Sequence, residues 1–304
     1  LNTSYRLVWN DVLGAFVVVS ELATARGKRS RTVLAIAVAG LMSTAALAAG
    51  NTTVPAGQTV DGAVISNHDT QEVWGSATGT VVNTGAEGGP DAENSDGMFV
   101  SGIATDTLIH AGGRQIVAAG GLSTGTTIQA GGDQSVHGQA QNTTLDGGNQ
   151  YVHAGAQASG TTVNAGGWQV VQQSGTADAT TVNRDGKLSV AAGGTASNVT
   201  LNAGGALVTS TAATVSGINS LGSFNVDAAT ASATNVLLEN GGRLDVLSGG
   251  SADTTTVSNG GVLAVATGGV AQHIVMNEGG VLIADSGSTV SGTNTAGKIG
   301  RAHA

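Results

Sequence analysis

Apolar and polar residues alternate along most of this chain, most plainly in a phrase stated three times between Thr161 and Gly205: TTVNAGGWQVVQQSGTADA, TTVNRDGKLSVAAGGTASN and VTLNAGG. Each statement begins 19 residues after the last. Val163 before the glycine turn, and Gln169 and Val171 after it, share one parity, which predicts short strands on either side of a turn. A fixed period near 20 residues built from such pieces predicts a solenoid. Glycine turns begin at Gly112, Gly131, Gly147, Gly166, Asp185, Gly204, Gly222, Gly241, Gly260 and Gly279, with one gap shortened to 16 at TTLDGG (Thr143–Gly148). The Gly222 unit is the most degenerate, and neither departure is expected to break the register of the later units.

The pattern specifies an all-β fold, a right-handed parallel β-helix of about 19-residue coils. At about 3.3 Å per residue such a coil traces a circuit of roughly 60 Å. One coil alone is unstable, because a few buried aliphatics at about 1.5–3 kcal/mol each do not offset ordering about 1–2 kcal/mol per residue of backbone. Stacked about 4.8 Å apart, each coil hydrogen-bonds to two neighbours, and roughly ten coils make a rod near 50 Å long. In the unit Thr255–Gln272, Val257, Leu263, Val265 and Ala271 are the inward set. The polar residue two before each turn (Asn164, Asn183, Asn202, Ser258, Asn277) is expected to accept left-handed geometry or to stack along the axis.

Composition agrees with a narrow interior. Among 304 residues there are 49 glycines, 2 prolines and 3% aromatics, so alanine and valine must supply most of the core. The same Gly, Ser, Thr and Asn content suits a disordered linker, but strict periodicity favours order. Residues 1–48 carry five Lys and Arg against two acids, so of the net charge of −9 the remainder bears −12. An acidic body with scattered cations is no nucleic-acid surface. With no cysteine, disulfides and thiolate chemistry are excluded.

The sequence divides into four regions. Residues 1–48 predict an extended signal peptide: Arg26, Lys28, Arg29 and Arg31 form the basic region, Val33–Leu47 the apolar one, and cleavage is expected after Ala48. A transmembrane anchor is the alternative, but the run is short and holds Gly40, Ser43 and Thr44. Residues 49–105 predict an irregular start of the solenoid, with TVDGAVIS and TGTVVNTG as early turns and an acidic loop at Gly85–Gly97. Residues 106–296 hold the regular repeats, and residues 297–304 (GKIGRAHA) predict a tail outside the repeat, in a chain truncated before a β-barrel or served by one encoded elsewhere.

Candidate chemistry is sparse. Asp91, Glu93, Asn94 and Asp96 lack the alternating ligands and distal Glu of a calcium loop. His137 and His153 follow the inward Val136 and Val152, so they should stack on the outer face, without an evident third ligand for a metal. No nucleophile elbow, no Gly-Asp-Ser-Gly and no phosphate loop occurs in the sequence. No catalytic, cofactor or metal residue is therefore assigned, and an enzyme is not expected. Threonine instead recurs at one corner, at Thr126, Thr127, Thr143, Thr144, Thr161, Thr162, Thr180, Thr181, Thr200, Thr255 and Thr256.

Two stretches resemble known families. Tyr5, Arg6, Trp9, Val19, Ser20, Glu21 and Lys28 match the extended signal-peptide region of type V autotransporters. GGRLDVLSGGSADTTTV (Gly241–Val257) resembles the 19-residue repeat of AIDA-type self-associating autotransporter adhesins. The resemblance implies Sec-dependent export through the periplasm, outer-membrane assembly machinery, and display at the cell surface or secretion. It also implies aggregation between cells, biofilm formation and host-cell adherence, with a heptosyltransferase modifying Ser and Thr. The eleven threonines above fall in the family's acceptor-rich column. A stalk presenting an enzymatic or binding domain is the competing expectation.

Overall fold

The computed structural model describes residues 5–10, 15–20, 51–66, 69–83, 97–295 and 298–301. The chain divides into two units, Leu1–Ala39 and Gly40–Ala304. In the first, Tyr5–Asn10 and Ala15–Ser20 form an antiparallel hairpin that sets Tyr5 opposite Ser20 and Trp9 opposite Phe16. The basic and apolar signal regions, the cleavage site at Ala48 and the acidic loop with its calcium candidates lie outside the described residues.

The second unit is a β-solenoid with no helix among its described residues. Each regular coil contributes one strand of about four residues to a 13-stranded first sheet and two shorter strands to a 23-stranded second sheet. In the central coil these are Trp168–Val171, then Thr176–Asp178 and Thr181–Val182. Pairing is parallel and in register: Gln150, Gln169 and Leu188 stack as one column, and Leu145, Val163 and Val182 as another. The irregular start also builds coils, with Thr52–Val54, Thr70–Val73 and Gly97–Val100 in the first sheet. Lys298–Arg301 pairs with Val281–Ala284, so the first sheet continues into residues expected to form a tail outside the repeat.

The inward set is as the alternation predicts: Val257, Leu263, Val265 and Ala271 are all buried. The two glycines of each turn have different jobs. Gly166 has φ of +75°, whereas a Cβ on Gly167 would sit 2.7 Å from the Leu145 carbonyl oxygen of the preceding coil. One residue thus reverses the chain, and the next lets it pass close to its neighbour. The asparagines two before the turn take the stacking role, since left-handed geometry falls elsewhere. Asn183 donates to Asn164 at 2.7 Å and Asn202 to Asn183 at 2.8 Å.

The interior changes character along its length. Gln115, Gln134, Gln150 and Gln169 form a buried ladder, each amide donating to the one before at 2.6, 2.7 and 2.8 Å. From Leu188 the column is leucine, continuing at Leu207, and beyond the insert an inward column again holds leucine, at Leu244, Leu263 and Leu282.

The Gly222 unit is not a coil, which corrects the sequence expectation. Thr214–Asn219, Gly222–Asp227 and Ser232–Thr234 run antiparallel within the second sheet. Here Ser223 stands where the second glycine belongs, and its side chain denies the close approach that Gly167 allows. The first sheet skips a strand: Ala206 pairs back to Lys187, but Val208, not Ala206, meets Arg243. The register slips by two residues, and an even slip keeps inward residues inward.

Candidate functional site

Ten of the recurring threonines come as five adjacent pairs, with Thr200 following Val199, and a strand points adjacent side chains to opposite faces. Ahead of each pair, a left-handed residue such as Gly125, Asn142, Gly160, Ala179 or Thr254 turns the chain into the second sheet. The first member then faces inward: Thr126, Thr143, Thr161, Thr180 and Thr255 are at most 1% exposed. Thr161 donates to the Gln150 carbonyl at 3.1 Å and Thr180 to that of Gln169 at 2.9 Å. The expectation that these five accept a sugar is corrected, because a close-packed interior has no room for one.

The second members face outward and are half-buried. Thr127, Thr144, Thr162, Thr181 and Thr200 stack in register on successive coils. Thr256 stands in the same column beyond the antiparallel insert, between Leu237 and Val275. Further outward hydroxyls share this sheet at Thr105, Thr124, Ser159, Thr176, Thr195, Ser197, Ser232 and Ser251. The sequence signal for them was available in Thr-Ala-Asp, Thr-Ala-Ser and Ser-Ala-Asp, where the buried alanine fixes both flanks outward.

Acids punctuate this face. Ser197 and Asn198 each donate to one oxygen of Asp178 at 2.7 Å. The Ser197 bond foremost, then the Asn198 bond, holds the Asp178 carboxyl below its ordinary value. Asp253 lies 2.6 Å from His273 in the next coil.

The outer face of the first sheet is different. Trp168 is 37% exposed, with the Lys187 ammonium 5.3 Å from its ring centroid. Asn149 donates to Asp133 at 2.9 Å, and Arg243 pairs with Asp245 at 2.6 Å. Burial first, and the Asp133 charge second, push the Tyr151 phenol above its ordinary value. His137 and His153 do stack, with ring centroids 4.0 Å apart and planes at 11°. His153 is buried, however, where both rings were expected on the outer face. Among the described residues, no three His, Cys, Asp or Glu side chains gather as a metal site. A shallow cleft lies at the corner by the short coil, lined by Asn83, His110, Ala111, Gln129, Ala130 and Asp146.

Residues 134–186 and 216–280 match a family described as adhesin of bacterial autotransporter system, probable stalk. Residues 2–50 match the extended signal peptide of the type V secretion system. The chain is also similar to a solved structure, a TibC-catalysed, hyper-glycosylated fragment of TibA. Identity is 32%, over 84% of this chain and 85% of that one, with a TM-score of 0.53. A tailspike protein double mutant of E. coli bacteriophage HK620 matches at 10% identity, over 83% of this chain and 58% of that one, with a TM-score of only 0.21.

Proposed function

Because the chain belongs to the adhesins of the bacterial autotransporter system, exported to the cell surface or secreted, we propose that it is a self-associating adhesive passenger whose outward hydroxyls carry sugar. The observation that carries the reading is the register-matched threonine column at Thr127, Thr144, Thr162, Thr181 and Thr200, one hydroxyl per coil on an accessible face. A side chain repeated about every 4.8 Å lets many weak contacts form at once, and their combined strength exceeds any single one. This passenger clumps cells, supports biofilm and adheres to host surfaces.

The glycosylated TibA fragment supports a dedicated glycosyltransferase as partner, a heptosyltransferase in this reading. Its acceptors are the outward members, Thr127, Thr144, Thr162, Thr181, Thr200 and Thr256, with the neighbouring serines and threonines of the second sheet. Site mapping of passenger from cells that hold the transferase should find sugar on Thr162 and Thr181 and none on Thr161 or Thr180. Cells displaying the passenger should settle faster than cells displaying an unrelated one; equal rates would refute self-association. The family description as a stalk favours a second reading, in which the solenoid presents another domain. It predicts that the solenoid alone adds nothing to settling.

A further inference from the structure

The two sheets divide the surface chemistry of the solenoid between them. Every lysine and arginine among described residues 51–295 lies on a first-sheet strand, at Arg114, Lys187 and Arg243, or, for Arg184, in the turn leading into one. Phe99, Tyr151 and Trp168 lie on that sheet, and Trp74, 54% exposed, directly follows one of its strands. Arg114 is only 5% exposed, so Arg184, Lys187 and Arg243 are the cations that reach solvent here, beside three first-sheet acids, Glu72, Asp133 and Asp245.

The second-sheet strands carry no lysine or arginine and five acids: Asp61, Asp146, Asp178, Asp227 and Asp253. Their one aromatic ring besides that of His273 belongs to Phe224, which is buried. Ser and Thr are the commonest residues at their outward positions. Aromatic rings and cations on one face thus complement hydroxyls and acids on the other.

Both faces repeat at the same coil spacing, so two rods laid side by side match along their whole length. Resting on the self-association reading, we propose that two copies join heterologously: the outer face of the first sheet in one copy seats on the outer face of the second sheet in the next. Second sheet on second sheet is disfavoured, because it sets acids against acids.

Thirteen strands about 4.8 Å apart and about 13 Å wide offer about 800 Å² per partner, the area of a standard interface. The first-sheet face also turns Ile116, Val170, Val262 and Ile283 outward, and many copies acting together supply the strength. A heterologous contact uses one face of each copy, so the pair keeps one face of each kind free for further copies. That geometry propagates from cell to cell.

The test uses displayed full chains in two colours of cell. One variant alters the first face (Tyr151→Asp, Trp168→Ala, Lys187→Glu), the other the second (Thr162→Lys, Asp178→Lys, Thr181→Lys); both must match wild type in surface amount and stay folded at the assay temperature. Each variant alone should settle no faster than cells displaying an unrelated passenger. Their equal mixture should form two-coloured clumps, because an intact second face on one variant meets an intact first face on the other. If wild-type cells settle but the mixture stays dispersed, or either variant alone settles like wild type, the heterologous pairing is overturned. Wild-type cells that do not settle would instead overturn the self-association reading and this inference with it.

Discussion

Gln150 is the centre of the buried amide ladder, and replacing it with leucine tests whether hydrogen bonds hold the interior of the N-terminal coils. Its Nε2 donates to Gln134 at 2.7 Å, and its Oε1 accepts from Gln169 at 2.8 Å and from Thr161 at 3.1 Å. The substitution Gln150→Leu leaves three polar atoms of Gln134, Gln169 and Thr161 without these partners in a fully buried site. At about 1–3 kcal/mol for each of the three unpaired groups, and with about 1–2 kcal/mol returned by burying leucine, the net loss is about 1–8 kcal/mol. Urea unfolding of the purified passenger measures it as a lower midpoint at unchanged slope. The double variant Gln134→Leu with Gln150→Leu removes both ends of one bond, so it should cost about 2 kcal/mol less than the two singles summed. A loss below about 1 kcal/mol for Gln150→Leu, or additive losses in the double, would refute the claim that the ladder is paired along its length.

Gly217→Ala places a Cβ against the backbone of Val199, its carbonyl oxygen above all, where the antiparallel insert begins. It should cost about 1–3 kcal/mol by forcing two strands apart, read as a lower melting temperature; an unchanged one counts against the close approach. The pKa of Asp178 is held below its ordinary value of 3.8, so its ionised form favours the fold above that pH. That contribution disappears as pH falls through the depressed value. Melting wild type and Asp178→Asn at pH 7 and pH 3 should show a small wild-type advantage at pH 7 alone, and an equal difference at both pH values would refute the hydrogen-bonded carboxylate.

Much of the coil was legible because it obeys two local rules. The 2-residue period of a strand orders Val163, Gln169 and Val171 inward, and Gly-Gly recurs where the chain must turn. The threonine pairs were legible as a column but not by side. Thr161 and Thr162 are equivalent in composition and differ only in which comes directly after the left-handed residue Gly160. The insert was visible as a degenerate unit, yet nothing local announced that Ser223, in place of a second glycine, would turn a coil into an antiparallel strand.

Spacing and residue type along the chain were enough to establish the period, the strand-and-turn alphabet, the narrow interior and the family. It took the stacked coils to show which hydroxyls are reachable, that five glutamine-column and threonine-column contacts pair inside the rod, and that the sheets carry opposite chemistry. Each of these depends on what lies one coil above or below. Stacking brings residues 16 to 19 positions apart into contact along the ladder, and along the chain such residues are simply distant.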